Sequence, residues 1–221
     1  MQRPIQTFKP RRGRYSQAQV AAIADSPLLV PSGETVPLQQ LFGQRPVILD
    51  IGFGMGDATV QQALQHPEVG ILAIDVHTPG VGKLLVELEA HRIENVRVIE
   101  GDAMELLRNT LPTASLAGIR VYFPDPWPKA RHHKRRIIST EHLGLMARAL
   151  EPGGFLHFAT DWQAYADAAR ECIDGHPDFT LLPDDASLPY ASRASRPRTK
   201  FESRGIAAGR SITDLIAVRG N

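Results

Sequence analysis

From residue 47 onward, apolar positions fall into short continuous runs, separated by stretches in which they recur every three or four residues. Residues 47–51, 70–75, 96–102, 116–123 and 155–161 are such runs, and the first three carry an acid at or near their ends: Asp50, Asp75 and Asp102. Unalternated apolar runs of this length suit strands buried on both faces of a parallel sheet. Between and after them, residues 58–65, 81–92, 103–111, 137–150 and 163–173 read as helices. Within 81–92, Val81, Leu84, Leu85 and Leu88 are spaced for one helix face. Strand and helix alternating in this way predict an α/β fold with a doubly wound, mostly parallel sheet. The last part breaks the alternation. Residues 179–182 and 212–218 read as strands with no clear helical pattern between them, an expected antiparallel pair at the C-terminal edge of the sheet. Upstream, 16–23 reads as a short helix capped by Ser16, 27–37 as loop or short strand, and 38–42 as a helical turn. Residues 1–15 are polar, basic and proline-containing, and read as a flexible basic arm. That leaves 16–221 as a single domain, long enough for a full core.

Composition changes this picture little. The 43% hydrophobic and 22% charged fractions are those of an ordinary globule. The net charge of +1 means that any affinity for a polyanion must come from local clusters. Two are dense, Lys9 to Arg14 and Lys129 to Arg136, and a looser one holds Arg193, Arg196, Arg198, Lys200, Arg204 and Arg210. A single cysteine, Cys172, excludes an intrachain disulfide and a Cys-rich zinc site; its helical setting suggests a buried structural thiol. No apolar run is long enough to span a bilayer, and the N-terminus lacks the marks of a secretory signal, so the cytoplasm is the expected compartment and no membrane partner is expected.

Two stretches carry chemistry. In the first, the strand at 116–123 stops at Pro124, and Asp125 then sits between Pro124 and Pro126. Proline fixes its own φ and biases the residue before it toward extended backbone, so the acid should stand on a stiff loop at a strand end. Trp127 adds an aromatic face for stacking or for the core. Lys129, Arg131, His132, His133, Lys134, Arg135 and Arg136 follow at once. A fixed carboxylate beside a cation run suits a polyanion that presents a base, with Lys and Arg on its phosphates. The adjacent histidines suit RNA contact better than a shared metal, and no metal is expected.

The second stretch is Gly52-x-Gly54-x-Gly56, following Asp50. Its spacing differs from the G-x-G-x-x-G of dinucleotide sites, no basic residue lies in the loop, and Asp57 would repel a phosphate. S-adenosylmethionine fits better: its ammonium suits Asp50, the glycine backbone packs beside the methionine moiety, Asp75 takes ribose hydroxyls and Asp102 accepts from the adenine amino group. Each acid alone has a plainer reading as a helix cap.

The stretches 50–56, 123–136 and Thr199-Lys200-Phe201-Glu202-Ser203-Arg204-Gly205, with Arg12-Gly13-Arg14 and Gln17, closely resemble the bacterial tRNA (guanine-N7)-methyltransferase family over nearly the whole chain. The resemblance implies a class I S-adenosylmethionine-dependent, Rossmann-like fold and methyl transfer to N7 of guanine 46 in the tRNA variable loop. It implies cofactor roles for Asp50, Asp75, Asp102 and Asp125, a catalytic role for Asp125, substrate contacts at Lys129, Asp161 and Thr199 to Glu202, and RNA contacts at Arg131 to Arg136. The sequence departs from the family at Asp50 and Asp75, where glutamate is usual, and at Arg210, where histidine is common. The expected partner is tRNA, with no obligate protein partner and either a monomer or a homodimer.

Guanine N7 already has an in-plane lone pair, so no base is needed to make a nucleophile. The expected work is alignment, plus a carboxylate on the N1–H and amino edge as the ring becomes cationic. Asp125 is assigned this role, with Asp161 and Glu202 as alternatives. A small-molecule methyltransferase would have no use for three basic clusters. A non-catalytic RNA-binding module would not need the three acids, and an NAD enzyme is disfavoured by the glycine spacing.

Overall fold

A computed structural model describes residues 6–8, 16–194 and 196–220. Their elements, in chain order, are α1 (Gln17–Asp25), α2 (Leu38–Phe42), β1 (Val47–Ile51), α3 (Asp57–Gln65), β2 (Gly70–Asp75), α4 (Thr78–Ala90), β3 (Val96–Glu100), α5 (Ala103–Asn109) and β4 (Leu116–Tyr122). A 3₁₀ helix (Ala130–Arg135), α6 (Thr140–Ala149), β5 (Leu150–Thr160), α7 (Gln163–Asp174), β6 (Phe179–Leu181), α8 (Lys200–Ala207) and β7 (Thr213–Arg219) follow. Of the expected basic arm, Lys9, Arg11, Arg12, Gly13 and Arg14 lie outside the described residues.

The strands form one sheet in the order β3-β2-β1-β4-β5-β7-β6. The first five are parallel to their neighbours, and β7 runs antiparallel to both β5 and β6. The expected mostly parallel sheet with an antiparallel C-terminal edge is therefore what forms. Side chains alternate across it. Leu49, Leu72, Ile119 and Leu156 pack with α5, α6 and α7 on one face. Ile48, Ile71 and Val98 pack with α3 and α4 on the other, where Val81, Leu84, Leu85 and Leu88 form the apolar stripe of α4. Each fully buried aliphatic side chain of this kind contributes about 1.5–3 kcal/mol. Among the described residues, no helix is long and apolar enough to cross a membrane.

Four elements differ from the sequence reading. Helix α4 begins at Thr78, not 81, because Pro79 is tolerated in a first helical turn, where its missing N–H has no partner to lose. Helix α6 begins at Thr140, where Ser139 caps the His142 N–H, so Ile137 and Ile138 enter as buried loop. Strand β5 begins at Leu150, before the Pro152-Gly153-Gly154 turn. Its pairing with β4 steps from Leu116↔Leu150 to Gly118↔Phe155, so β5 advances five residues while β4 advances two. Helix α8 occupies the segment read as lacking a helix. It starts with a capping box between Thr199 and Glu202 and buries only Gly205, so it has no apolar stripe to betray it. Cys172 is half-buried rather than buried, with its Sγ 3.7 Å from the Thr140 hydroxyl.

Candidate active site

The strand order reverses between β1 and β4, and these parallel neighbours end side by side, Ile51 opposite Val121. A doubly wound sheet opens its ligand crevice at such a point. The cavity there is lined by Gly52 and Gly54 after β1, Asp75 and His77 after β2, Gly101 and Asp102 after β3, and Phe123, Pro124 and Asp125 after β4. Phe201 of α8 and Thr7 and Phe8 of the N-terminal segment also line it.

The glycine loop is held in an unusual backbone shape. Gly52 and Gly54 have φ of +76° and +63°, a region that side chains other than glycine's enter at a cost. A Cβ added at Gly52 would meet nothing within 4 Å, so this stretch of backbone is open to a ligand. The Asp75 carboxylate fastens the loop, accepting from the Gly54 N–H at 2.7 Å and the His77 N–H at 2.9 Å. Burial pushes the Asp75 carboxyl above the ordinary aspartate range, against the pull of these two N–H groups. Asp102 caps α5, with Oδ1 accepting from the Met104 N–H at 2.9 Å. The plain capping reading therefore holds for Asp102, which also lines the same cavity as Asp75. Gly56 lines neither this cavity nor the one beside it. It begins α3 at φ +82°, and its missing Cβ makes room for Leu84, which would stand 2.8 Å away. The structure thus gives Gly56 a packing role against Leu84.

Asp50 stands apart from the other acids. It is 6% exposed, and the Thr59 hydroxyl donates to it at 2.7 Å. Burial pushes its carboxyl up, partly offset by Thr59 and by Arg120, which lies opposite it in the β1–β4 register. It borders a second, smaller cavity that shares Gly52, Tyr122 and Phe201 with the first and adds Thr199 and Lys200. Asp57 pairs with Lys83 and with Lys200 (3.1 Å), so it ties the start of α8 to the glycine loop.

The Pro124-Asp125-Pro126 loop is stiff, but not as the proline rule alone predicts. Phe123, directly before Pro124, has φ +52° rather than extended backbone, and Trp127 has φ +45°. Phe123 still completes the sheet ladder, its N–H donating to the Ala159 carbonyl at 2.7 Å, before the chain turns away from the strand direction. Trp127 is 3% exposed, its Nε1–H donates to the Thr7 carbonyl at 3.0 Å, and the Arg135 guanidinium lies 4.7 Å from its ring. A buried, covered ring cannot stack on a base, so Trp127 anchors the loop instead.

The cation run divides. Lys129, Arg131, His133 and Lys134 are exposed, and His132 and Arg135 are half-buried against Trp127. Arg136 departs from the expected RNA contact. It is 5% exposed, donates to the Pro126 carbonyl at 3.1 Å and stacks 4.7 Å over the Tyr165 ring.

The remaining substrate candidates gather on α8 and behind it. Phe201 is 42% exposed over the glycine loop. Asp161 is held by Arg210, with Nη2 and Nε at 2.8 and 2.9 Å. Both oxygens of Glu202 are engaged by Arg196, at 2.8 and 3.1 Å. Of the three candidate carboxylates, Asp125 is the one that lines the main cavity. Sequence reasoning gave no site role to Arg196, Asp214, His157, Tyr122 or Gly80. The Thr-x-x-Glu capping box was the one local signal that a helix stands at this place.

Comparison with known proteins bears on this geometry. A family model described as "Putative methyltransferase" matches residues 44–215. A tRNA (guanine-N(7)-)-methyltransferase of Streptomyces avermitilis is 47% identical, covering 97% of this chain and 75% of that protein. Its counterpart in Nitrosomonas europaea is 43% identical, covering 98% and 97%. Among solved structures, the 16S rRNA methyltransferase KamB superposes with a TM-score of 0.56 at 18% identity over 97% of each chain, a likeness of fold.

Proposed function

Because the chain belongs to the S-adenosylmethionine-dependent tRNA (guanine-N(7)-)-methyltransferase family, we propose that it methylates N7 of guanine 46 in the tRNA variable loop. The observation that carries this reading is the meeting, around one cavity at the switch point, of the open Gly52–Gly54 backbone, Asp75, Asp102 and the proline-held Asp125. The lining suits the cofactor: acceptors and bare backbone face it, and no lysine or arginine does among the described residues. S-adenosylmethionine, when bound, supplies an already activated sulfonium methyl group.

The chain's own residues then bind and orient. Asp75 keeps unused lone pairs for ribose hydroxyls, and the second oxygen of Asp102 accepts from an amino group. Asp50, at the second cavity beneath Thr199 and Lys200, offers its charge to an ammonium. Asp125 accepts from the guanine N1–H and amino edge, a contact that strengthens as the ring gains positive charge. Thr199 to Phe201 wall the base from the other side. The exposed cations begin four residues beyond Asp125 and take backbone phosphates.

Incubation of the protein with labelled S-adenosylmethionine and unmodified tRNA transcripts, followed by mapping of the base, tests the proposal. Label at N7 of guanine 46 is the expected result; label elsewhere, or on no tRNA, overturns it. The cation run yields a second expectation. Replacing Lys129, Arg131 or Lys134 by alanine should lower the slope of log K against log salt by about 0.7–0.9 each and leave stability unchanged. Arg136→Ala should do the reverse: an unchanged slope, and a Tm lower by several degrees from the loss of about 2 kcal/mol of buried bonding and stacking. Filter binding over a salt series, with thermal melts, checks both.

A further inference from the structure

We infer that Arg196 is a positioning residue for methyl transfer, fixing the Thr199–Glu202 turn relative to the Asp125 loop. This rests on the reading above, in which both segments address the target guanosine. Arg196 is 7% exposed and touches three parts of the fold at once. Its Nε and Nη2 donate to Asp214 of β7 at 2.8 and 3.2 Å. Its Nη1 and Nη2 donate to Glu202 of α8 at 2.8 and 3.1 Å. Its guanidinium lies 5.4 Å from the Tyr122 ring and 5.2 Å from the Phe123 ring, the last two residues before Pro124. Asp214 also takes a bond from His157 Nε2 at 2.8 Å, and the other ring nitrogen meets the Tyr122 hydroxyl at 3.0 Å. The contacts close a ring, Tyr122–His157–Asp214–Arg196, from which Glu202 and α8 hang.

The charge states agree with this geometry. Burial raises the Asp214 carboxyl, but the bonds from His157 and Arg196 outweigh it and hold it below the ordinary aspartate range. Burial lowers the Arg196 guanidinium, but Asp214 and Glu202 outweigh that and raise it. Burial also lowers the His157 imidazole, despite Asp214. A neutral His157 that donates through Nε2 to Asp214 and accepts a hydrogen bond from the Tyr122 hydroxyl at Nδ1 satisfies both ring nitrogens.

A buried ionic cluster adds little net stability over apolar packing, so its usefulness lies in geometry. That argument has force here because α8 buries only Gly205. Apolar packing does not orient this helix. Its ties are polar: Glu202 to Arg196, Lys200 to Asp57, and Arg210, just beyond its end, to Asp161. Loss of the guanidinium fork should therefore let α8 drift while the sheet stays folded.

Arg196→Lys keeps the charge but reaches one carboxylate at a time. Its kcat on a tRNA transcript should fall about 10- to 30-fold, within the ~10²-fold that a ~1 Å misplacement can cost. Its calorimetric Kd for the cofactor should change less than kcat, since Phe201 is the one α8 residue on that cavity's lining, while Gly52, Gly54, Asp75 and Asp102 stand on other elements. If Arg196 acts through Glu202, the R196K/E202Q double variant should lose no more than the worse single variant. Wild-type kcat in R196K below its Tm, or losses that multiply in the double variant, would overturn the inference. Should R196K fail to fold, Asp214→Asn in the E202Q background poses the same question, with the same non-additivity expected and multiplied losses again overturning it. Failure of the underlying reading looks different: the wild type itself would leave guanine N7 unlabelled.

Discussion

Asp125→Asn should bind S-adenosylmethionine with near-wild-type affinity and lose on the order of 10²–10³-fold in kcat, the scale seen when one preorganised transition-state contact is removed. The substitution keeps size and shape. The loop that carries residue 125 is shaped by Pro124 and Pro126, by the left-handed Phe123 and Trp127, and by the Trp127 bond to Thr7. Asparagine fills the same space within this backbone frame, so the fold and the glycine loop should persist, with Tm within a few degrees of wild type, about 1 kcal/mol or less at roughly 2–4 °C per kcal/mol. What changes is the response to developing charge. A neutral amide can still accept one hydrogen bond from guanine, but it gains little as the ring becomes cationic. The loss should therefore fall on kcat and kcat/KM alike, with KM for tRNA little altered. Single-turnover transfer, with calorimetry for the cofactor, separates these quantities. Near-normal turnover would move the role to Asp161 or Glu202, both of which would first have to leave the arginines that hold them.

The contrast between what the chain displays and what it conceals follows from interaction range. The sheet, the switch-point acids and the Pro-Asp-Pro loop are local chemistry: apolar runs, glycines, prolines and the residues beside them. The concealed features depend on partners distant in sequence. Arg196 and Arg210 read as members of a solvated basic cluster, yet Asp214 and Asp161 neutralise them across 18 and 49 residues. Arg136 reads as a nucleic-acid contact, and Trp127 as either a stacking platform or core, because a cation run and an aromatic ring look the same in sequence whether or not Tyr165, Thr7 and Arg135 cover them. Helix α8 escaped because periodicity detects burial, and this helix is held by charge. The resemblance implied substrate contacts along Thr199 to Glu202, but it could not show that Arg196 holds both oxygens of Glu202.

Gly80→Ala is the second large effect, and it sits on a residue with no chemistry at all. Gly80 lies in the first turn of α4 with an ordinary helical φ, so propensity alone predicts that alanine would stabilise the helix by about 1 kcal/mol. The structure predicts the opposite. A Cβ there would stand 1.9 Å from the Gly54 carbonyl oxygen. That oxygen belongs to backbone, so no rotamer change relieves the clash; either α4 or the glycine loop must shift. The loop is the softer of the two, since α4 is clamped by the buried Val81, Leu84, Leu85 and Leu88. Moving it breaks the 2.7 Å bond from the Gly54 N–H to Asp75 and closes the backbone face offered to the cofactor. Overpacking of about 3 kcal/mol should lower Tm by roughly 6–12 °C, and the displaced loop should weaken cofactor binding about 100-fold. Gly144→Ala in α6 is the matched control, because its Cβ would meet only the His176 ring, at an ordinary 3.9 Å. It should be neutral or slightly stabilising. If both alanine variants melt alike and bind cofactor alike, the close approach of α4 to the glycine loop is not what shapes the site. If they diverge as expected, a glycine without a side chain will have proved as necessary to cofactor binding as Asp75, the acid that fastens the same loop.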